Sequence, residues 1–278
     1  MKFRFILIMF CMGSIKVRAQ QDSVKKTTLT LAAIYNSNVS YYGQTTDERL
    51  PYVLVNATLR FPLGIYLSAG SYKLLNYGSG ISETDLGIGY DHDFNERFDI
   101  GVAFTRSFYP ANSPLLQAAN ENNVNLSANY SWSWLKSAFS ADYAFGKQHD
   151  IFISLSHSKE IWLGTLFSKK NSVYVEPAIE LIAGTQHFYE TYVVEKGKRD
   201  QSKGKGKGLN SSQNSAGTTT LQSNNFNLRS YNFKLPLSLS RANYIAEISY
   251  QLSVLGPNTP AELKSQQSFF GLAFYYQF

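Results

Sequence analysis

A single cysteine occurs in the 278 residues, and it lies close to the N-terminus, at Cys11. Such a chain forms no internal disulfide, and it has no thiols to spare for catalysis or for a thiolate metal centre. Charge is scarce as well: Asp, Glu, Lys and Arg make up 17% of the residues, against ~25% in ordinary soluble domains. No run of ~20 apolar residues exists, which excludes a membrane-spanning helix. A convincing helical stripe is missing too. Stability must therefore come from hydrogen-bonded architecture and burial.

The N-terminus carries a targeting segment. Met1-Lys2-Phe3-Arg4 is a short basic region, residues 5–15 are an apolar run of signal-peptide length, and Val17-Arg18-Ala19 ends in a small residue. This predicts a cleaved signal peptide over 1–19 and a short segment 20–26 before the first strand. Phe10 precedes Cys11 where lipoprotein processing needs a small residue. Lys2, Arg4, Lys16 and Arg18 supply most of the formal charge of +6, and a second basic cluster, Lys196, Lys198, Arg199, Lys203, Lys205 and Lys207, falls within 195–208. The positive charge thus belongs to a signal and one loop. It is no nucleic-acid footprint, and no nucleic-acid partner is expected.

What the chain does have is alternation of period two, along its whole length. Val124, Leu126, Ala128, Tyr130, Trp132 and Trp134 point one way, while Asn125, Ser127, Asn129, Ser131 and Ser133 point the other. Residues 243–254 and 270–278 repeat the pattern. The runs are often about 10–14 residues long, against ~5–6 for strands of soluble proteins and ~9–11 for a strand crossing a bilayer. They predict about twelve strands, with ten or fourteen as alternatives, at 27–41, 50–61, 64–77, 82–93, 97–109, 122–134, 136–146, 149–162, 171–192, 226–240, 242–254 and 266–278. Connections alternate between tight turns, such as Phe61-Pro62-Leu63-Gly64, and longer loops at 42–49, 78–81, 110–121, 193–225 and 255–265. Outward aromatics collect at the strand ends: Trp132, Trp134, Tyr90, Phe61, Phe274, Tyr276 and Phe278 on the turn side, Phe104, Phe108, Tyr143 and Phe145 on the loop side. Rings at these heights read as two girdles, of which Trp132, Trp134, Tyr143, Phe145, Phe274 and Tyr276 are the clearest members.

Together these residues resemble the porin-like family of Gram-negative outer-membrane β-barrel proteins. The resemblance implies an all-β fold, a closed antiparallel transmembrane barrel over 27–278, with a flexible surface loop at 193–225. It implies outer-membrane lipid and lipopolysaccharide as surroundings. It also implies contact with the barrel-assembly machinery, because Tyr276-Gln277-Phe278 looks like that family's terminal assembly signal. With only 20–26 before the first strand and nothing after the last, neither a plug domain nor a peptidoglycan-binding domain is expected. The expected function is a passive or semi-selective path for small solutes. The rival is a structural or surface-interaction barrel with a filled lumen, displaying 110–121 and 193–225; an outer-membrane lipid hydrolase comes third.

Motifs for other chemistry are weak. None of His92, His149, His157 or His187 is followed two residues later by Ser, and neighbouring residues of a strand point to opposite faces, so Ser156-His157-Ser158 diverges. The run Asp91-His92-Asp93 splits the same way, two carboxylates to the lumen and the imidazole outward. Glycines at 204, 206 and 208 open no helix and make no phosphate loop. No catalytic residue, metal site or cofactor is expected. Parity places Arg60, Asp85, Asp99, Asp142, Glu176, Glu180, Lys234 and Glu247 on the lumen face, with Lys234 able to pair with Glu180 or Glu247. These charges form either a weakly acidic, cation-favouring pathway or a network that closes the barrel. Tyr66, Tyr72, Phe152 and Tyr275 also point inward, where they can block a cross-section.

Overall fold

The computed structural model describes residues 26–46, 48–111, 113–189, 226–257 and 264–278. The expected signal peptide, 1–19, and the expected surface loop, 193–225, lie outside the described residues. Fourteen strands run in chain order: β1 (Thr28–Asn36), β2 (Tyr52–Arg60), β3 (Ile65–Leu74), β4 (Glu83–Asp93), β5 (Phe98–Phe108), β6 (Asn122–Ser131), β7 (Lys136–Phe145), β8 (His149–Ser158), β9 (Ile161–Thr165), β10 (Ser172–Val175), β11 (Ala178–Gly184), β12 (Asn227–Arg241), β13 (Tyr244–Leu255) and β14 (Gln266–Gln277). A single 3-10 turn, η1 (Leu116–Ala119), precedes β6. Twelve of the strands, β1–β8 and β11–β14, form one closed antiparallel ring, with β14 hydrogen-bonded to β1 and β8 to β11.

Alternation explains both faces of the wall. Apolar side chains face outward and stay exposed, Leu86, Ile88 and Leu126 each at 51%. Their neighbours along the strands, among them Asn123, Asn125, Ser127, Ser140 and Asp142, face inward and are buried. A soluble protein does the reverse. An apolar outer belt on a closed ring, with polar residues inside, is the arrangement that a bilayer solvates, because closure satisfies every strand edge and lipid covers the rest. Closure extends to the final residue, whose amide donates to the Leu29 carbonyl at 2.9 Å.

The sequence pattern expects unbroken strands over 149–162 and 171–192, and both are interrupted. One divides into β8 and β9 at Lys159-Glu160, the other into β10 and β11 at Glu176-Pro177. The cause is a pair of prolines. Pro177 lies at the break, beside the stretch of β12 that holds Pro236, between Ala178↔Lys234 and Val175↔Leu237. Neither has an N–H for the ladder. β9 and β10 continue beyond the break as a hairpin, held to the ring only where β10 pairs with β12.

The 42–49 and 110–121 connections are not simple surface loops. Tyr41, Tyr42, Gln44, Leu115, Leu116 and Gln117 are almost wholly buried, so both segments turn back into the barrel, and Gln186 and Phe188 after β11 join them. Two apolar clusters result. One gathers Leu50, Tyr52, Tyr72, Leu74 and Leu115; the other gathers Tyr41, Tyr42, Leu116, Phe152 and Phe188. The loop end of the lumen is thereby filled by the protein's own chain.

Candidate functional site

The candidate site is the lumen: strand parity puts Arg60, Asp85, Asp99, Asp142, Glu180, Lys234 and Glu247 there, and Glu176 lies at the break between β10 and β11. Near the turn end Arg60 pairs with Asp91 and lies over the Tyr66 ring at 4.9 Å. That ring occupies the place a side chain at position 89 would need, since a Cβ on Gly89 would come within 2.3 Å of it. Asp99 accepts from the Asn129 amide at 2.7 Å. Glu176 accepts from the Ser158 hydroxyl at 2.9 Å, and the Lys136 ammonium is 3.6 Å away.

Deeper in, Glu180 and Lys234 form an ion pair at 2.9 Å, with the Asn232 amide donating to the same carboxylate at 2.9 Å. Glu247, the other partner the sequence allows, sits opposite Ser238 in the β12–β13 register and accepts its hydroxyl at 3.2 Å. A cavity of about 90 Å³ opens beside Lys234, Glu247, Ser249, Gln251 and Tyr275. Asp142 is held by the amides of Asn123 and Asn125, at 2.8 and 2.9 Å, and by the Ser140 hydroxyl at 3.2 Å. Asp85 is 1% exposed.

The inner wall is polar but not self-sufficient. Asn56 Nδ2, Ser68 Oγ, Asn123 Oδ1 and Asn232 Oδ1 are buried with no hydrogen-bond partner among the described residues. An orphaned buried polar atom costs ~1–3 kcal/mol unless something bonds to it. Water does so in other proteins, typically bridging several such groups.

The plug hangs on a residue that no sequence signal marks. Asp150, at the start of β8 and 1% exposed, accepts from Asn120 Nδ2 and Thr185 Oγ1 at 2.8 Å, and from the backbone amides of His187 and Phe188 at 2.7 and 3.0 Å. One carboxylate so ties the 110–121 and 185–189 segments to the wall. Arg229 extends the tie, donating to the Gly184 carbonyl at 2.7 Å and to Gln186, whose amide reaches Gln44 at 2.9 Å. Around them Tyr42 stacks on Phe152 with ring centroids 3.5 Å apart, and Tyr41 packs edge-on against Phe188. Burial pushes the hydroxyls of Tyr41 and Tyr42 well above their ordinary range, so both stay neutral. The four inward aromatics anticipated from parity, Tyr66, Tyr72, Phe152 and Tyr275, are all buried.

On the outer face, Trp132, Trp134, Tyr143 and Phe274 are exposed, and Phe145 and Tyr276 are half-buried beside them. His92 is there too, 3.3 Å from the Tyr90 hydroxyl and edge-on to Phe94, apart from the Asp91 carboxylate. One contact was invisible in the sequence: Ser137 Oγ lies 2.9 Å from His157 Nδ1, and the Trp132 indole donates to the same oxygen at 2.9 Å. Adjacent strands make this pair, so no local motif betrays it. Among the described residues, no group of three or more His, Cys, Asp or Glu side chains is placed to hold a metal.

The chain has the fold of a closed twelve-strand antiparallel β-barrel. No family model and no curated protein matches its sequence. Among solved structures it is similar to the KdgM porin, with 12% identity over 90% of this chain and 99% of that one and a TM-score of 0.45. It is similar to the NanC porin as well, with 6% identity over 89% and 98% and a TM-score of 0.47. LpxR from Salmonella typhimurium aligns with 8% identity over 90% and 99% and a TM-score of 0.48. Likenesses this distant describe the barrel alone.

Proposed function

We propose that the protein is exported to the outer membrane of a Gram-negative bacterium, assembled there by the machinery that reads its last strand, and acts as a narrow, plugged channel for small solutes. The observation that carries this reading is the contrast between the two parts of the lumen. The wall is polar and in need of water, whereas the obstruction is built from connecting segments that a change of loop conformation can withdraw. Barrels of fewer strands are filled by their own side chains, and those of 16–18 leave an open channel. At twelve, the plug decides. Inward Asp85, Asp99, Asp142, Glu176, Glu180 and Glu247 outnumber Arg60, Lys136 and Lys234, a balance that favours cations weakly.

In planar bilayers the folded protein is expected to give small conductance steps with a modest cation preference, read from the reversal potential in a salt gradient. Replacing Glu180 and Glu247 together by Gln should abolish that preference or turn it toward anions, because Lys234 then loses its counter-charge. Correctly folded protein that never conducts, with and without residues 196–222, would sink the channel reading and leave a structural barrel. Orientation has its own test. The bases between β11 and β12 should be cut by trypsin on intact cells; cleavage only after the outer membrane is opened would invert the topology.

A further inference from the structure

On the barrel wall one line of the strand register runs from Lys136 through Ser158, Ala178 and Lys234 to Gln251, across β7, β8, β11, β12 and β13. Side chains alternate along each strand, so the outward residues on either side of this line form two rows. Ile179 and Phe233 stand in the row toward the loops; Lys159, Pro177 and Leu235 stand in the row toward the turns. Between the rows lies a groove of about 500 Å³ on the outer face, with Trp134 at one end and Tyr250 at the other. Pro177, at the strand break, puts a short ring into a row that otherwise carries long side chains. The groove also has a direction. Trp134 belongs to the β6–β7 turn and to the girdle on that side, whereas Tyr250 lies midway along β13. Because strands of such a barrel are tilted, the groove descends from the girdle toward the middle of the apolar belt.

Water is a poor occupant: each molecule takes ~30 Å³ of liquid and needs polar partners, which apolar walls do not supply. The exception to the apolar lining lies at the girdle end. Lys159 is exposed there, and among the described residues no carboxylate pairs with its ammonium, whereas neighbouring Lys136 is engaged by Glu160 and Glu176. A free cation at headgroup level, above an apolar furrow that runs into the belt, is complementary to an anionic head carrying a long chain. The groove is moreover continuous with the apolar belt itself, which favours lipid over a protein partner. We propose that it binds one phospholipid of the turn-side leaflet, with the phosphate on Lys159 and one acyl chain laid along Pro177, Ile179 and Leu235 toward Tyr250. This inference rests on the outer-membrane reading and is independent of whether the barrel conducts.

The test uses the full-length barrel folded in detergent micelles, delipidated by detergent exchange and titrated with dioleoylphosphatidylglycerol, with bound lipid counted by native mass spectrometry. One lipid per barrel is expected to bind saturably. Leu235→Trp, which fills the groove, and Lys159→Gln, which removes the charge, should each weaken binding about 10-fold, with the heat-dependent gel shift of the folded barrel retained. Leu126→Trp, elsewhere on the belt, should leave binding unchanged. Absence of a saturable lipid on the wild type would overturn the proposal, as would undiminished affinity in Leu235→Trp. A loss in Leu235→Trp without one in Lys159→Gln would mean a chain held with no phosphate contact, which overturns it too. A dimer that Leu235→Trp dissolves would put a second copy in the groove instead. Lipid binding by a barrel that never conducts would sink the channel and leave this site standing; conductance without a bound lipid would do the opposite.

Discussion

Asp150→Ala is expected to unseat the plug and raise single-channel conductance several-fold, while the barrel keeps its resistance to heat and detergent. The substitution removes the acceptor for the Asn120 amide, the Thr185 hydroxyl and the backbone amides of His187 and Phe188. Buried donors left unpaired cost ~1–3 kcal/mol each, and four of them exceed what the connecting segments gain by staying inside. The β8 ladder to β7 and β11 is independent of the side chain, so the ring survives. Asp150→Asn keeps one acceptor oxygen and should fall between the two. Conductance unchanged in Asp150→Ala would mean that the plug is held by packing of Tyr41, Tyr42, Phe152 and Phe188 instead. Loss of the folded band on gels would mean that plug and ring form one cooperative unit.

The second large effect is expected at the C-terminus. Replacing Phe278 by Asp, or deleting it, should sharply lower the amount of folded protein in outer-membrane fractions. Its contribution to the finished barrel is small: one backbone hydrogen bond to Leu29, of the order of 1 kcal/mol, and a ring that is 64% exposed at the end of the wall. Purified variants should therefore refold into micelles almost as well as wild type. A large defect in cells beside a small one in vitro marks recognition of the terminal residue during assembly. Equal defects in both would mean that Phe278 acts through stability, and no defect in either would remove its role altogether.

Why the wall was legible in the sequence and the plug was not follows from the range of the forces involved. Side chains on a strand alternate strictly, so the inward placement of Glu180, Asp142 and Phe152 and the outward placement of Leu126 and Phe104 could be read from parity alone. The split at Pro177 needed knowledge of which residues of β12 lie across from it, and Pro236 is far away in sequence. Asp150 is harder still. It looks like any polar residue at a strand end until Asn120, Thr185 and the amides after β11 converge on it, and the pairing of Ser137 with His157 depends in the same way on strand register. Connecting segments such as 42–49 carry no periodicity, so their polar composition is equally consistent with solvent and with the hydrated inside of a barrel.

The meeting of β1 with β14 has a consequence for how the molecule comes into being. Thr30 pairs with Gln277, so the contact that closes the twelve-strand ring joins the two ends of the described chain. Closing so long a loop adds only modest entropy beyond that of a shorter one, but it makes the average contact span many residues, and folding slows accordingly. Until the final strand arrives, β1 presents a bare row of amides and carbonyls to whatever is near. A ring closed in this way gains from anything that keeps β1 covered until β14 reaches it.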